Sequence, residues 1–138
     1  MGRTSFSGPV YGAKGCLASC YVATVAPNAS ATELAEFLVP AGEDWYITDL
    51  HAFCTHQGNA CDIDIESPNG TSLLASDLAL SSNAAVVRTL VADGGEDEGK
   101  RVAASARIHI EADNGATTSA TGVMINVLGY IRKLNTPL

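Results

Sequence analysis

Four residues with metal-binding side chains, His51, Cys54, His56 and Cys61, fall within eleven consecutive positions. Imidazole and thiolate groups at that density could hold zinc, whose structural sites draw four such ligands together. Zinc sites space their cysteines as tighter C-x2-C pairs, and on a strand His51 and Cys54 point to opposite faces. Free thiols packed as small hydrophobes explain the four cysteines (Cys16, Cys20, Cys54, Cys61) with fewer demands. A second constellation is Asp49 and His51, two apart on one strand face, which could orient a nucleophile supplied from elsewhere. A polar sheet face is the expected reading of the pair, and of His109 between Arg107 and Glu111.

Asp62, Asp64 and Glu66 form a ladder of carboxylates on one face of a strand. Calcium takes such hard oxygen ligands, but they converge from a loop rather than standing ~6–7 Å apart in a row. Cross-strand pairing with Arg101 or Arg107 is the simpler expectation. The chain has no G-x-S-x-G elbow, P-loop, G-x-G-x-x-G or H-E-x-x-H motif. The reading is therefore of a non-enzymatic protein with no metal and no other cofactor.

The elements that carry these residues follow a period of two. From Arg101 to Ala112, Val102, Ala104, Ala106, Ile108, Ile110 and Ala112 alternate with Arg101, Ala103, Ser105, Arg107, His109 and Glu111, which predicts one long strand. Val123, Ile125, Val127 and Ile131 repeat the pattern, as do Cys61, Ile63 and Ile65. Ser67-Pro68-Asn69-Gly70 predicts a turn joining a strand that ends near Glu66 to one around Ser72–Ala75. Pro40–Asp44 separates Glu36–Val39 from Trp45–Thr55; Leu17–Ala26, Val86–Ala92 and Thr121–Arg132 add further strands. The total is about eight, the spacing of an antiparallel β-sandwich. Ser30-Ala31-Thr32-Glu33 fits a capping box, which allows a helical turn near 31–35 ahead of a strand in the second half of the segment, while Ser76–Ala85 reads as a loop or a short irregular connection.

Charge is distributed unevenly. Residues 1–32 carry only Arg3 and Lys14, residues 33–99 carry thirteen acids against Arg88, and residues 100–138 carry five bases against Glu111 and Asp113. A net charge of −7 and a pI near 4.7 argue against nucleic acid as a partner. No apolar run reaches the ~18–20 residues of a membrane span, so no membrane is expected either. Residues 1–9 lack an apolar h-region, which places the chain in a reducing cytoplasm when made. Residues 1–15, punctuated by Gly2, Gly8, Pro9, Gly12 and Gly15, read as an extended arm. An acid-free arm, an acidic loop and a basic tail point to partner contacts at Arg3, Phe6, Tyr11 and Lys14, at Glu96, Asp97 and Glu98, and at Arg132 and Lys133.

The stretch Phe37-Leu38-Val39-Pro40-Ala41-Gly42-Glu43-Asp44-Trp45-Tyr46-Ile47-Thr48-Asp49-Leu50 resembles the early hairpin of small phage structural proteins. The Asp62–Leu74 hairpin and the closing Gly129-Tyr130-Ile131-Arg132-Lys133 strand are similar to that group too, so the resemblance spans roughly 37–133. The group is the cement, or capsid decoration, proteins of tailed phages with a jelly-roll fold. The resemblance implies an arm (1–15), one jelly-roll β-sandwich domain (16–134) and a short tail (135–138). It implies a virion protein on the outside of an icosahedral head, partnered by the major capsid protein and by copies of itself, a dimer being favoured. The competing expectation is a small-ligand or carbohydrate-binding jelly roll, lectin-like or cupin-like. A cupin would need its histidines converging inside a barrel, and His51, His56 and His109 are the candidates.

Overall fold

The computed structural model describes residues 10–11, 14–27, 29–55, 61–74, 76–80, 86–90, 99–115 and 118–134, with backbone alone at 10–11, 29 and 86–90. Among the described residues the chain is all-β. Its strands are β1 (Val10–Tyr11), β2 (Gly15–Val25), β3 (Ala29–Leu38), β4 (Glu43–Phe53), β5 (Cys61–Glu66), β6 (Leu78–Leu80), β7 (Val86–Leu90), β8 (Lys100–Val102), β9 (Arg107–Asn114) and β10 (Ala120–Lys133). They form two antiparallel sheets that make a β-sandwich.

In sheet I, β10 pairs with β4 on one side; on its other side β1 and then β2 run along it. The far side of β4 takes β7 and β8 at different heights. Sheet I is thus four strand positions wide, like sheet II, whose order is β3-β9-β5-β6. The core lies between the sheets, where Ile47, Leu50, Ile63, Ile65, Ile108, Ile110 and Val127 are fully buried. Strict alternation places those of sheet II: β5 runs buried, half-buried, buried through Cys61–Glu66, and β9 does likewise from Ile108, whereas on β4 an irregularity at Thr48 brings Ile47 and Leu50, three apart, into the core together. Asn114 ties β9 to the end of β2 by donating from Nδ2 to the carbonyls of Val25 (3.2 Å) and Ala26 (3.0 Å).

Four local expectations are corrected. The single strand expected over 101–112 is two strands in different sheets: β8 joins sheet I and β9 joins sheet II. The break is a turn in which the Ala106 amide donates to the Ala103 carbonyl at 3.1 Å and Ser105 takes a φ of +64°. Its small residues preserve the period of two, which hides the bend from a reading of periodicity. The helical turn near 31–35 is instead part of β3, whose pairing with β9 slips between Ala29 and Thr32 and again between Glu33 and Ala35. Ala31, at φ +44°, lies in that first irregularity, and its amide donates to Asp113 Oδ1 at 2.5 Å. Third, β6 lies inside the segment expected as a loop, its Leu78 and Leu80 buried and only Ala79 exposed. The Ser67–Gly70 turn forms as expected, but it is followed by an isolated Glu66–Ser72 bridge rather than a strand.

Candidate docking face

Register decides where the charges go. β5 and β9 pair so that Asp62 opposes Asp113, Asp64 opposes Glu111 and Glu66 opposes His109. Alternation aims the apolar partners of these residues into the core, so the acids all share the outer face of sheet II. β3 adds Glu33 and Glu36, the latter opposite His109, and Asp77 precedes β6. Among the described residues, eight acids (Glu33, Glu36, Asp62, Asp64, Glu66, Asp77, Glu111, Asp113) crowd this face beside Arg107 and His109.

The expected pairing of the Asp62–Asp64–Glu66 ladder with arginines is therefore corrected. Arg107 bonds Glu36, and Arg101 donates from Nε to Asp44 Oδ2 on the other sheet at 2.9 Å. Across the strand Asp62 and Asp64 face acids, and Glu66 faces His109. With Asp77, Glu111 and Asp113 the ladder lines a shallow cleft of about 120 Å³. Burial, then Glu111 and Asp64, push the Glu66 carboxyl above its ordinary value; burial, then Asp64, Asp62 and Asp113, do the same to Asp77. Part of the cleft is fixed by hydrogen bonds: Asp64 Oδ1 accepts from the Ile65 amide (2.7 Å) and from Ser72 Oγ (2.5 Å). At the β3 side, Glu33, Glu36 and His109 each bring a ligand atom within 4.8 Å of the others. His109 Nδ1 lies 3.5 Å from Glu33 Oε1 and 3.7 Å from Glu36 Oε2, and Arg107 already binds Glu36. Arg107 holds Glu36 Oε1, so this group already carries a cation of the chain's own.

The cations are spent elsewhere. Glu43, Asp44 and Asp49 are buried on β4, and each is met by a base. Asp44, fully buried, accepts from Arg101 (2.9 Å), from Arg132 (3.1 Å) and from the Ala104 amide (2.9 Å). Burial pushes its carboxyl up, but these donors outweigh burial and hold it below its ordinary value. Lys133 Nζ donates to Glu43 Oε2 at 2.5 Å and, with Trp45 Nε1 at 3.1 Å on the other oxygen, lowers that carboxyl too. Arg132 lies over the Tyr46 ring, 4.8 Å from its centroid. Lys14 Nζ reaches Asp49 Oδ2 at 2.7 Å.

Of the residues expected to meet a partner, Lys14, Arg132 and Lys133 thus bind the chain's own buried acids. Tyr11 pairs its backbone with Arg132. Arg3, Phe6, Glu96, Asp97 and Glu98 lie outside the described residues. Of the zinc candidates, Cys54 and Cys61 are buried in the core and in no disulfide, and burial followed by Cys54 and neighbouring acids pushes the Cys61 thiol up to about 11. His51 sits half-buried, 3.4 Å from Asn126 Nδ2, and His56 is outside the described residues. Asp49 answers to Lys14 and to Thr48 Oγ1 (3.1 Å), which leaves the supposed Asp49–His51 relay occupied by other work. The acidic face itself was readable as a ladder on β5; what sequence could not supply was the register that brings Glu111 and Asp113 opposite it. No protein-family model, curated protein or solved structure matches the chain.

Proposed function

We propose that this chain is a non-enzymatic structural protein of a phage virion, a jelly-roll cement protein that binds the exterior of an icosahedral head and links neighbouring major capsid protein subunits. The observation that carries the reading is the segregation of charge. One broad sheet face gathers eight acids, while the bases beside β4 neutralise buried carboxylates of the same chain. Like charges placed directly opposite each other on a sheet cost stability. A basic partner surface repays that cost on docking, and on a repeating lattice many such modest contacts sum to firm retention.

The strand order supports the jelly-roll part of the reading. Counting β1 with β2 and β7 with β8 as single positions, the chain has eight positions in sheets ordered 1-8-3-6 and 2-7-4-5. First pairs with last, second with seventh, third with sixth and fourth with fifth, as in a long antiparallel ribbon rolled into two layers. A cupin-like or lectin-like alternative draws less support: the space between the sheets is filled by aliphatic side chains, and His51 and His109 are both outside it.

The test is occupancy on purified heads that lack the chain, read by electron microscopy. Wild-type protein follows the lattice, and its retention falls with added salt. Replacing Glu66, Glu111 and Asp113 by lysine strips it from the head, and deleting residues 2–14 weakens it. Absence of lattice-following density at any salt sinks the reading; normal occupancy of the lysine variant sinks the acidic face as the contact.

A further inference from the structure

We infer that β2 is the seam through which two copies of this chain pair edge to edge, extending sheet I across a two-fold axis. This refines the self-association within the cement reading, yet it stands on observations that involve no capsid. β2 is eleven residues long, and its sequence, Gly-Cys-Leu-Ala-Ser-Cys-Tyr-Val-Ala-Thr-Val, contains no charge. One edge is paired with β10 from Gly15 to Val25; among the described residues no strand pairs with the other. A long uncharged edge offers a row of backbone donors and acceptors to another chain, the situation that charged residues on an edge strand normally prevent.

Charge selects the occupant. Each copy carries −7, and a two-fold contact sets a surface against itself, so any charged patch would face its own sign. The other edges fail this condition: β3 bears Glu33 and Glu36, and β7 and β8 bear Arg88, Lys100 and Arg101. β6 is only three residues long. Residues 15–32 contain no ionisable acid or base of the Asp, Glu, Lys or Arg type, so β2 is where two acidic bodies approach at least electrostatic cost. A second copy is also the partner that matches a neutral edge best, because antiparallel self-pairing satisfies both rows of amides and carbonyls.

Symmetry then sets the register. Side chains opposed across an axis normal to the sheet share a face, so the axis passes beside a residue rather than between two. Centring on the strand's midpoint, Cys20, gives the largest overlap and sets Cys20 against Cys20 of the second copy, and Tyr21 against its Ser19. The two Tyr21 rings become diagonal neighbours ~7–8 Å apart at the backbone, within reach of aromatic side chains. Tyr21 is 64% exposed in the single chain, the most exposed large apolar residue among those described. That ring is left without cover unless the second strand is present.

Sedimentation equilibrium on the purified full chain, with no head present, tests the seam. A reversible dimer is expected, weakened at least tenfold by Tyr21→Glu, which sets carboxylates across the axis while the variant keeps its wild-type melting profile. Diamide, which takes two protons and two electrons from a thiol pair, should link the dimer through Cys20; Cys20→Ser abolishes the link and Cys16→Ser does not. A chain that stays monomeric at millimolar concentration overturns the inference, as does a dimer indifferent to Tyr21→Glu. A link through Cys16, or none, overturns the centred register. Head occupancy is not read in this experiment, so either proposal can fail without the other.

Discussion

Asp64 on β5 and Glu111 on β9 are direct cross-strand partners on the outer face of sheet II, two carboxylates where a sheet ordinarily sets opposite charges. On the same strands Asp62 opposes Asp113. Meanwhile Asp44, at full burial, gathers two guanidinium groups and a backbone amide. The fold thus places its bases where burial would otherwise make a carboxylate untenable and leaves its outer acids to repel one another. That distribution costs stability and leaves a surface of concentrated negative charge.

Relieving the repulsion should stabilise the chain. Glu111→Lys converts the Asp64 pairing to an attractive one and lowers the field on Glu66, whose raised carboxyl Glu111 helps to set. The expected gain is about 0.5–1 kcal/mol by chemical denaturation at low ionic strength, shrinking as salt is added. Glu111 is the cleaner site to change, since Asp64 also holds the Ile65 amide and Ser72 Oγ. A loss of stability, or a gain unmoved by salt, contradicts this account.

The two sets of carboxyls pull the pH profile in opposite directions. Glu66 and Asp77 are raised in the folded chain, so the native state holds more protons than the unfolded one; their contribution is full below the unfolded values and is lost as pH rises through the folded ones. Glu43 and Asp44 are lowered, and their contribution is present above the unfolded values and lost as pH falls through the folded ones. The melting temperature should therefore climb from pH 7 towards about 5 and fall again below about 4. In the double variant Glu66→Gln, Asp77→Asn the climb disappears and the acid limb stays. A wild-type profile that falls steadily from pH 7 excludes this balance.

Removing the hub of the buried network should be severe. Asp44→Ala removes a carboxylate partner from Arg132, four-fifths buried, and from Arg101, and frees the Ala104 amide that anchors the chain between the sheets. Breaking a buried pair costs ~3–5 kcal/mol, and because Arg101 is half exposed the loss belongs at the lower end, about 3 kcal/mol. Deleting Lys14 by Lys14→Ala should cost far less, since Asp49 keeps its bond from Thr48. Equal losses from the two substitutions would show that Asp44 is no hub.

Much of this was legible in the chain itself. Ile63 and Ile65, Ile108 and Ile110, and Val123, Ile125 and Val127 announce core-facing strands by alternation alone, because a sheet face has period two wherever it occurs. The bend at Ser105 was not, because Ala104 and Ala106 continue the same alternation through a turn that changes sheets. Site residues suffered from the same limit. Arg132 and Lys133 read as a free basic tail until the β4–β10 register set them opposite Asp44 and Glu43. Asp62, Asp64 and Glu66 read as a ladder awaiting arginines until β9 brought Glu111 and Asp113 beside them. Alternation specifies which way a side chain faces; what it faces depends on pairings between residues dozens of positions apart.

Gly129 tests whether that long-range register tolerates error. It lies where the pairing of β10 with β4 slips, between Leu128 and Gly129, one residue from the slip against β2. A Cβ there would stand 2.0 Å from the Tyr46 carbonyl oxygen and 3.0 Å from the Ile47 Cα, both backbone atoms with no rotamer to yield. Gly129→Ala must therefore push β10 away from β4 just where Arg132 and Lys133 need to reach Asp44 and Glu43. Overpacking of this kind costs ~1–3 kcal/mol. Here the loss should also flatten the acid limb of the pH profile, because Glu43 and Asp44 would then titrate nearer their ordinary values. Gly15, with open space around its would-be Cβ, is the control: Gly15→Ala should melt like wild type. If the two alanine variants melt alike, the slip at Gly129 does not position the buried network.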